Sequence, residues 1–192
     1  MDRNGKARKY GDGREALLAA VVVLVAEQGL DGFSYRKAAD RAGVNNTLIS
    51  HHFGSKEALL EAATEWAVAR SQEVTDLTAG SSLDDAFAER LTRIVAEEPH
   101  LQLFQYQMIL ASGRSEHMRR LAATLYESYV SIMLDVLERY GLPRDRATAR
   151  TVFAALDGLV LQQVTVASRE EIRDSIIKLG QMLKTQVPTV RG

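Results

Sequence analysis

Between Phe33 and Leu60 the chain reads FSYRKAADRAGVNNTLISHHFGSKEALL, and this stretch limits the fold more than any other. Ser34 is placed to cap a short helix reaching about Ala42, because a serine hydroxyl there accepts a free amide of the first turn. Gly43 supplies a sharp turn, since glycine enters the left-handed backbone region at little cost. Asn45 can cap a second short helix ending near Phe53, and Ser55 caps a long helix running to about Leu77. Ala38, Ala39 and Ala42 are small enough to let the two short helices approach closely. Val44, Ile49 and Phe53 are spaced to anchor the second one inward, which leaves Asn46, Thr47, Ser50 and His51 outward.

The rest of the chain is read as helical too. Residues 1–13 lack periodicity and form a basic arm, followed by a helix from about Arg14 to Gln28 with Gly29 as its C-cap. The apolar run Ala16–Ala26 follows a basic segment, as in a secretory signal, but Glu27, Gln28 and Gly29 end it without a small-x-small cleavage site. It is also shorter than the roughly 20 residues a membrane span needs. Thr78–Ser82 marks a break, and Ser82 is read as the cap of the next helix, which stops before Pro99. Helices over His100–Ser112 and Glu116–Tyr140 follow, the second closed by Gly141 and Pro143. Two more cover about Arg144–Ala167 and Arg169–Gln186, with Ser168 and Glu171 forming a capping box. The expectation is an all-α chain of about nine helices.

Two short helices at a tight turn, the second polar outward, form the arrangement that lays one helix in the major groove of DNA. Asn46 suits bidentate bonding to adenine, and Thr47 and Leu48 suit contact with a thymine methyl. Ser50 and His51 suit phosphates or base edges, and Lys56 sits where a helix N-terminus binds phosphate. Residues 1–56 hold nine Lys/Arg and six Asp/Glu, so this part carries +3 and the remainder −4 of the net −1. A basic head on an acidic body fits a nucleic-acid binder with a second job.

The segment resembles the N-terminal domain of the TetR (tetracycline-repressor) family. The likeness rests on Phe33-Ser34, Ala42-Gly43-Val44, His52-Phe53 and the run Ser55-Lys56-Glu57-Ala58-Leu59-Leu60. Ile49-Ser50-His51 is locally similar to the choline-responsive BetI branch of that family. The resemblance implies a three-helix DNA-binding head, an effector-binding and dimerising body, and a cytoplasmic location. By position it implies that Ser34, Tyr35, Arg36 and Lys56 lie at the DNA backbone and that Asn46, Thr47 and Leu48 read bases. Ser50 and His51 stand where an aromatic pair is frequent, so phosphate anchoring leans on Arg36, Lys56 and the arm. The domain boundaries expected are 1–13 for the arm, 14–56 for the helix-turn-helix and 57–192 for the body.

The middle helices mix large apolar side chains with isolated polar ones, as a small-molecule site does. Trp66, Phe87, Leu91, Phe104, Met108, Tyr126, Tyr129 and Met133 are the candidates for its walls. Gln105, Gln107 and Gln162 are candidates for directional hydrogen bonds, and each of these residues alone also fits an ordinary core. Few charges on these helices imply a neutral or lipophilic effector. The last two helices carry apolar stripes wider than one core needs. Val152, Leu156, Leu159, Val160 and Gln163 lie on one, and Ile172, Ile176, Leu179 and Leu183 on the other, with Gly180 allowing close approach. Two such helices from each chain would form a four-helix dimer interface. The long helix after Ser55 is the expected link between effector and DNA.

An enzyme is the main alternative, and a helical scaffold without DNA binding is another. The sequence has no cysteine, which removes disulfides, thiol nucleophiles and thiolate metal sites. His51 and His52 are adjacent, His100 and His117 stand apart, and no pair has two-histidine metal spacing. Asp157 is a lone acid in an apolar helix and reads as a hydrogen-bonding group. No cofactor, metal or membrane partner is expected.

Overall fold

The computed structural model describes residues 10–45, 49, 53–75, 82–114 and 116–186. Among them are eight α-helices, one short 3-10 turn and no strand, which agrees with the all-α expectation. The helices are α1 (Tyr10–Gly32), α2 (Tyr35–Ala42), α3 (Lys56–Thr75), α4 (Asp85–Glu97), α5 (Pro99–Ala111), α6 (Glu116–Arg139), α7 (Arg146–Thr165) and α8 (Arg169–Thr185). The expected second short helix is described only at Ile49 and Phe53, both helical.

The chain packs as two compact units, Met1–Arg70 with Leu103–Ala122 and Ser71–Gln102 with Ala123–Gly192. In the first, α1 lies on α2. Leu18, Val21 and Val25 are fully buried, so the valine-rich run that lowers helix propensity is held by packing. α1 starts at Tyr10, earlier than the expected Arg14. It also passes through Gly29, which sits at φ 70, ψ 175 and kinks it there. Gly29 therefore breaks the regular helix near the expected place, but three more residues continue beyond it.

In the second unit α4, α7 and α8 pack mutually. Asp84, not Ser82, caps α4: its carboxylate accepts the Phe87 amide at 3.0 Å, while the Ser82 hydroxyl donates to it at 2.9 Å. A carboxylate binds that amide better than a hydroxyl does, because it adds charge at the positive helix end. α6 ends as expected at Gly141, where Leu142 N–H bonds the Leu137 carbonyl at 3.0 Å. Asp145 caps α7, and the Ser168–Glu171 capping box of α8 is present in full. Leu83 is held from two sides. Its N–H donates to Tyr140 Oη at 2.8 Å, and Gly180 lies so close that a Cβ there would stand 1.9 Å from its carbonyl oxygen.

Candidate functional site

The frame of the segment expected to face DNA is built by local chemistry. Ser34 accepts the Lys37 amide at 3.3 Å and starts α2. Gly43 ends it in the left-handed region at φ 66, ψ 35. Gly43 N–H reaches the Asp40 carbonyl and Val44 N–H the Ala39 carbonyl, which closes the helix by the two bonds of a Schellman turn. Ala38, Ala39 and Ala42 are buried, as the close-approach argument requires. Of the expected inward anchors, Ile49 is 1% exposed, and Val44 and Phe53 are half-buried. Beyond Phe53, Ser55 Oγ accepts the Ala58 amide at 3.1 Å and begins α3. The candidates Asn46, Thr47, Leu48, Ser50 and His51 lie outside the described residues.

The cations around this frame fall into two groups. Arg36 projects from α2 with 87% of its side chain exposed, 3.9 Å from Asp40. Lys37, Arg41 and Lys56 are turned back onto the protein. Lys37 Nζ donates to Gln28 Oε1 at 2.8 Å and to the Gly32 carbonyl at 2.7 Å. Arg41 grips Glu27 with two bonds, at 2.7 and 3.1 Å. Lys56 Nζ donates to the Leu30 carbonyl at 3.1 Å and lies 5.3 Å from the centre of the Phe33 ring. Lys56 thus has an internal post that its spacing in the sequence did not reveal. Ser34 spends its hydroxyl on the cap. Tyr35 is half-buried and its hydroxyl oxygen is buried without a hydrogen bond; burial, with the Glu57 carboxylate behind it, pushes its pKa up.

The body candidates divide between the units. Trp66, Phe104, Gln105 and Met108 belong to the first, where Trp66 is half-buried and the others are buried. Phe87, Leu91, Tyr126, Tyr129, Met133 and Gln162 belong to the second. There Tyr126 and Tyr129 flank Phe153, edge-on at 5.2 Å and stacked at 5.1 Å. Tyr126 Oη donates to Asp157 at 3.2 Å, and burial with that carboxylate pushes the phenol's pKa up to about 12. Asp157 is thus the hydrogen-bonding group expected of it. Phe153 drew no notice in the sequence because its partners lie a whole helix away.

Two glutamines exchange places relative to the sequence reading. Gln162, expected to face a ligand, is exposed. Gln163, expected at a dimer surface, turns inward and donates to the Thr92 carbonyl at 2.7 Å. One residue is about 100° of helix, so a small phase error swaps the faces. The residues expected at a dimer interface divide in the same way. Val152, Leu156, Val160, Ile172, Ile176 and Leu183 are at most 7% exposed within the single chain and belong to its own core. Leu159 and Leu179 are half-buried. Gly180 serves close approach as expected, but to Leu83 of the same chain. Among the described residues of α7, α8 and the turn between them, the large apolar side chains left outward are Leu161, Val166 and Met182, at 43%, 84% and 56% exposure.

Two family models match. One, for bacterial regulatory proteins of the tetR family, covers residues 17–63 and so encloses the whole cap–turn–cap frame. The other, for the tetracyclin repressor-like C-terminal domain, covers residues 82–181, just over half the chain. The chain belongs to the TetR family. Within it, BetI of Yersinia pestis (strain Pestoides F) is 36% identical over 185 residues, 91% of this chain and 92% of the relative. The BetI likeness therefore extends far beyond Ile49-Ser50-His51. Two further relatives match over a smaller part of their length. The alignment with BetI of Serratia proteamaculans, also 36% identical, spans 42% of that relative and 43% of this chain. That with the repressor KstR2 of Mycobacterium tuberculosis, 32% identical, spans 62% of the relative and 68% of this chain.

Solved TetR-family structures share the fold. A regulator from Rhodococcus sp. aligns with a TM-score of 0.74 at 24% identity, covering 91% of this chain and 99% of that one. The multidrug binding protein EbrR, solved with proflavin, aligns with a TM-score of 0.56 at 25% identity, covering 87% and 99%. Among the described residues no helix is long and apolar enough to cross a membrane.

Proposed function

We propose that this TetR-family chain is a ligand-responsive repressor acting in the cytoplasm. It binds a near-palindromic DNA operator as a homodimer and is released by a small neutral or lipophilic molecule. The observation that carries the reading is the frame around residues 46–52. Ser34, Gly43 and Ser55 fix both ends of a short segment whose sequence is polar and suited to base edges, beside the exposed guanidinium of Arg36. In this reading Asn46, Thr47 and Leu48 read bases, while Arg36, Ser50, His51 and the basic residues that precede α1 (Arg3, Lys6, Arg8 and Lys9) contact phosphate. Ser34, Tyr35 and Lys56 mainly shape the frame, and Lys56 reaches DNA only by leaving the Leu30 carbonyl. The helix-turn-helix covers 14–56 and the effector-binding and dimerising body 57–192.

The effector reading is supported by the likeness to EbrR, a multidrug binding protein solved with proflavin. The dimer reading draws on the outward Leu161, Val166 and Met182 and on the half-buried Leu159 and Leu179 of the last two helices. A two-fold dimer places its recognition helices about 34–36 Å apart on the duplex. The test is a titration against random-sequence duplex at two salt concentrations, followed by selection from a randomised library. Binding that weakens steeply with salt, and a selected site with inverted half-sites, are expected. Salt-independent or absent binding defeats the reading.

A further inference from the structure

The α1 kink at Gly29 collects contacts that the DNA-binding frame alone does not require. Gly29 leaves the α-helical region, so the helix changes direction there. Beyond the kink the backbone is bonded to other helices. The Leu30 carbonyl takes Lys56, the first residue of α3, and the Gly32 carbonyl takes Lys37 of α2. Just before it, Gln28 takes Lys37 and Glu27 takes Arg41. One short stretch, Glu27–Gly32, therefore holds the helices on both sides of the segment that faces DNA. A residue from further along the chain meets the same stretch. Gln107 of α5 lies with its amide oxygen 3.7 Å from where a Cβ on Gly29 would stand. α5 also carries the effector-site candidates Phe104, Gln105 and Met108, and residues 103–122 pack in one compact unit with residues 1–70.

We propose that the Gly29 kink is the input of the regulatory signal and that Gln107 is the positioning residue that delivers it. A displacement of α5 presses or frees the kink. The shift passes through the Leu30 and Gly32 carbonyls to Lys56 and Lys37, and so to both ends of the recognition segment. The route does not need α3 to swing as a whole, which was the expectation from sequence. It rests on the DNA-binding reading above. A glycine is required at the kink because φ 70 is strained for any other residue, and a mobile joint needs that freedom.

The experiment compares the full-length wild-type chain with Gln107→Ala, Gln107→Leu and Lys56→Met, and with Gln107→Ala combined with Lys56→Met. Amide hydrogen exchange of residues 28–33 and 53–60 is read beside affinity for duplexes that the wild type selects from a random library. Gln107→Ala is expected to change exchange at both stretches and duplex affinity by about two- to thirtyfold, the range of remote coupling substitutions. In the Lys56→Met background its effect at 53–60 should vanish. Gln107 variants that fold with wild-type thermal midpoints yet leave exchange and affinity unchanged would overturn the proposal. So would an undiminished effect at 53–60 in the Lys56→Met background. A wild type that selects no duplex sinks the DNA-binding reading instead, while the exchange measurements still decide the coupling.

Discussion

Gly158 and Gly180 occupy successive helices and have opposite surroundings. No heavy atom comes within 4 Å of a Cβ added at Gly158, whereas one at Gly180 would collide with the Leu83 carbonyl. Gly158→Ala is expected to stabilise the chain by up to about 1 kcal/mol, because alanine loses less backbone entropy in a helix. Gly180→Ala should cost about 1–3 kcal/mol, since backbone must move to admit the methyl. Thermal or urea unfolding of the two variants checks both signs, and equal shifts would mean that the Leu83 contact does not hold α8. Reading Gly180 as a close-approach residue needed only its place in an apolar stripe. Knowing what approaches it needed the fold, because Leu83 is almost a hundred residues away.

At the scale of elements, helix entrances carry much of the chain's pH dependence. The Phe87 amide above all holds the Asp84 carboxyl below its ordinary range. The Thr148 hydroxyl and amide do so for Asp145, and the Ser168 hydroxyl and amide for Glu171. Each folded pKa is depressed, so the stability these groups add is present above the ordinary carboxylate pKa of about 4. It is lost as pH falls through the lower folded values. The expected outcome is early acid fraying of α4, α7 and α8. It should show as faster amide exchange in their first turns at about pH 3 than at pH 6, and Asp145→Asn should make the α7 entrance less sensitive over that interval. Tyr126 works in the opposite direction. Its folded pKa is raised to about 12, so its contribution holds below about 10 and is lost as pH climbs through 12. These entrances also mark what was legible in the sequence. Ser34, Gly43, Gly141 and the Ser168–Glu171 box could be read because their bonds span only a few residues. Ser82 does not cap α4 because Asp84, two places on, takes the Phe87 amide with a full charge. The faces of α7 could not be settled by periodicity, since Gln162 and Gln163 differ by one step and only α4 decides which is inside.

For the molecule as a whole, charge and oligomeric state are the measurable consequences. Arg36 is the most outward cation of α2, and each phosphate it neutralises adds about 0.9 to the slope of log affinity against log salt. Arg36→Ala should lower that slope by this amount per site without changing the selected sequence. Lys56→Ala should instead lower the thermal midpoint as well, because it leaves the Leu30 carbonyl without its donor. For the homodimer, Leu161→Glu with Met182→Glu is expected to shift sedimentation toward the monomer while helical content is kept. An unchanged mass would move the interface away from this face. The buried stripe of α7 and α8 shows why the apolar pattern alone does not assign an interface: a helix packed on two neighbours has an apolar face as wide as one shared with a partner.

Leu110, near the end of α5, stands 77% exposed. The sequence contains no cysteine, so Leu110→Cys would give this chain one thiol and no native thiols to remove. A maleimide dye there would report from the same helix as Gln107, with one fluorophore per chain. Fluorescence anisotropy and energy transfer between subunits could then follow compound libraries and duplexes in the same cuvette.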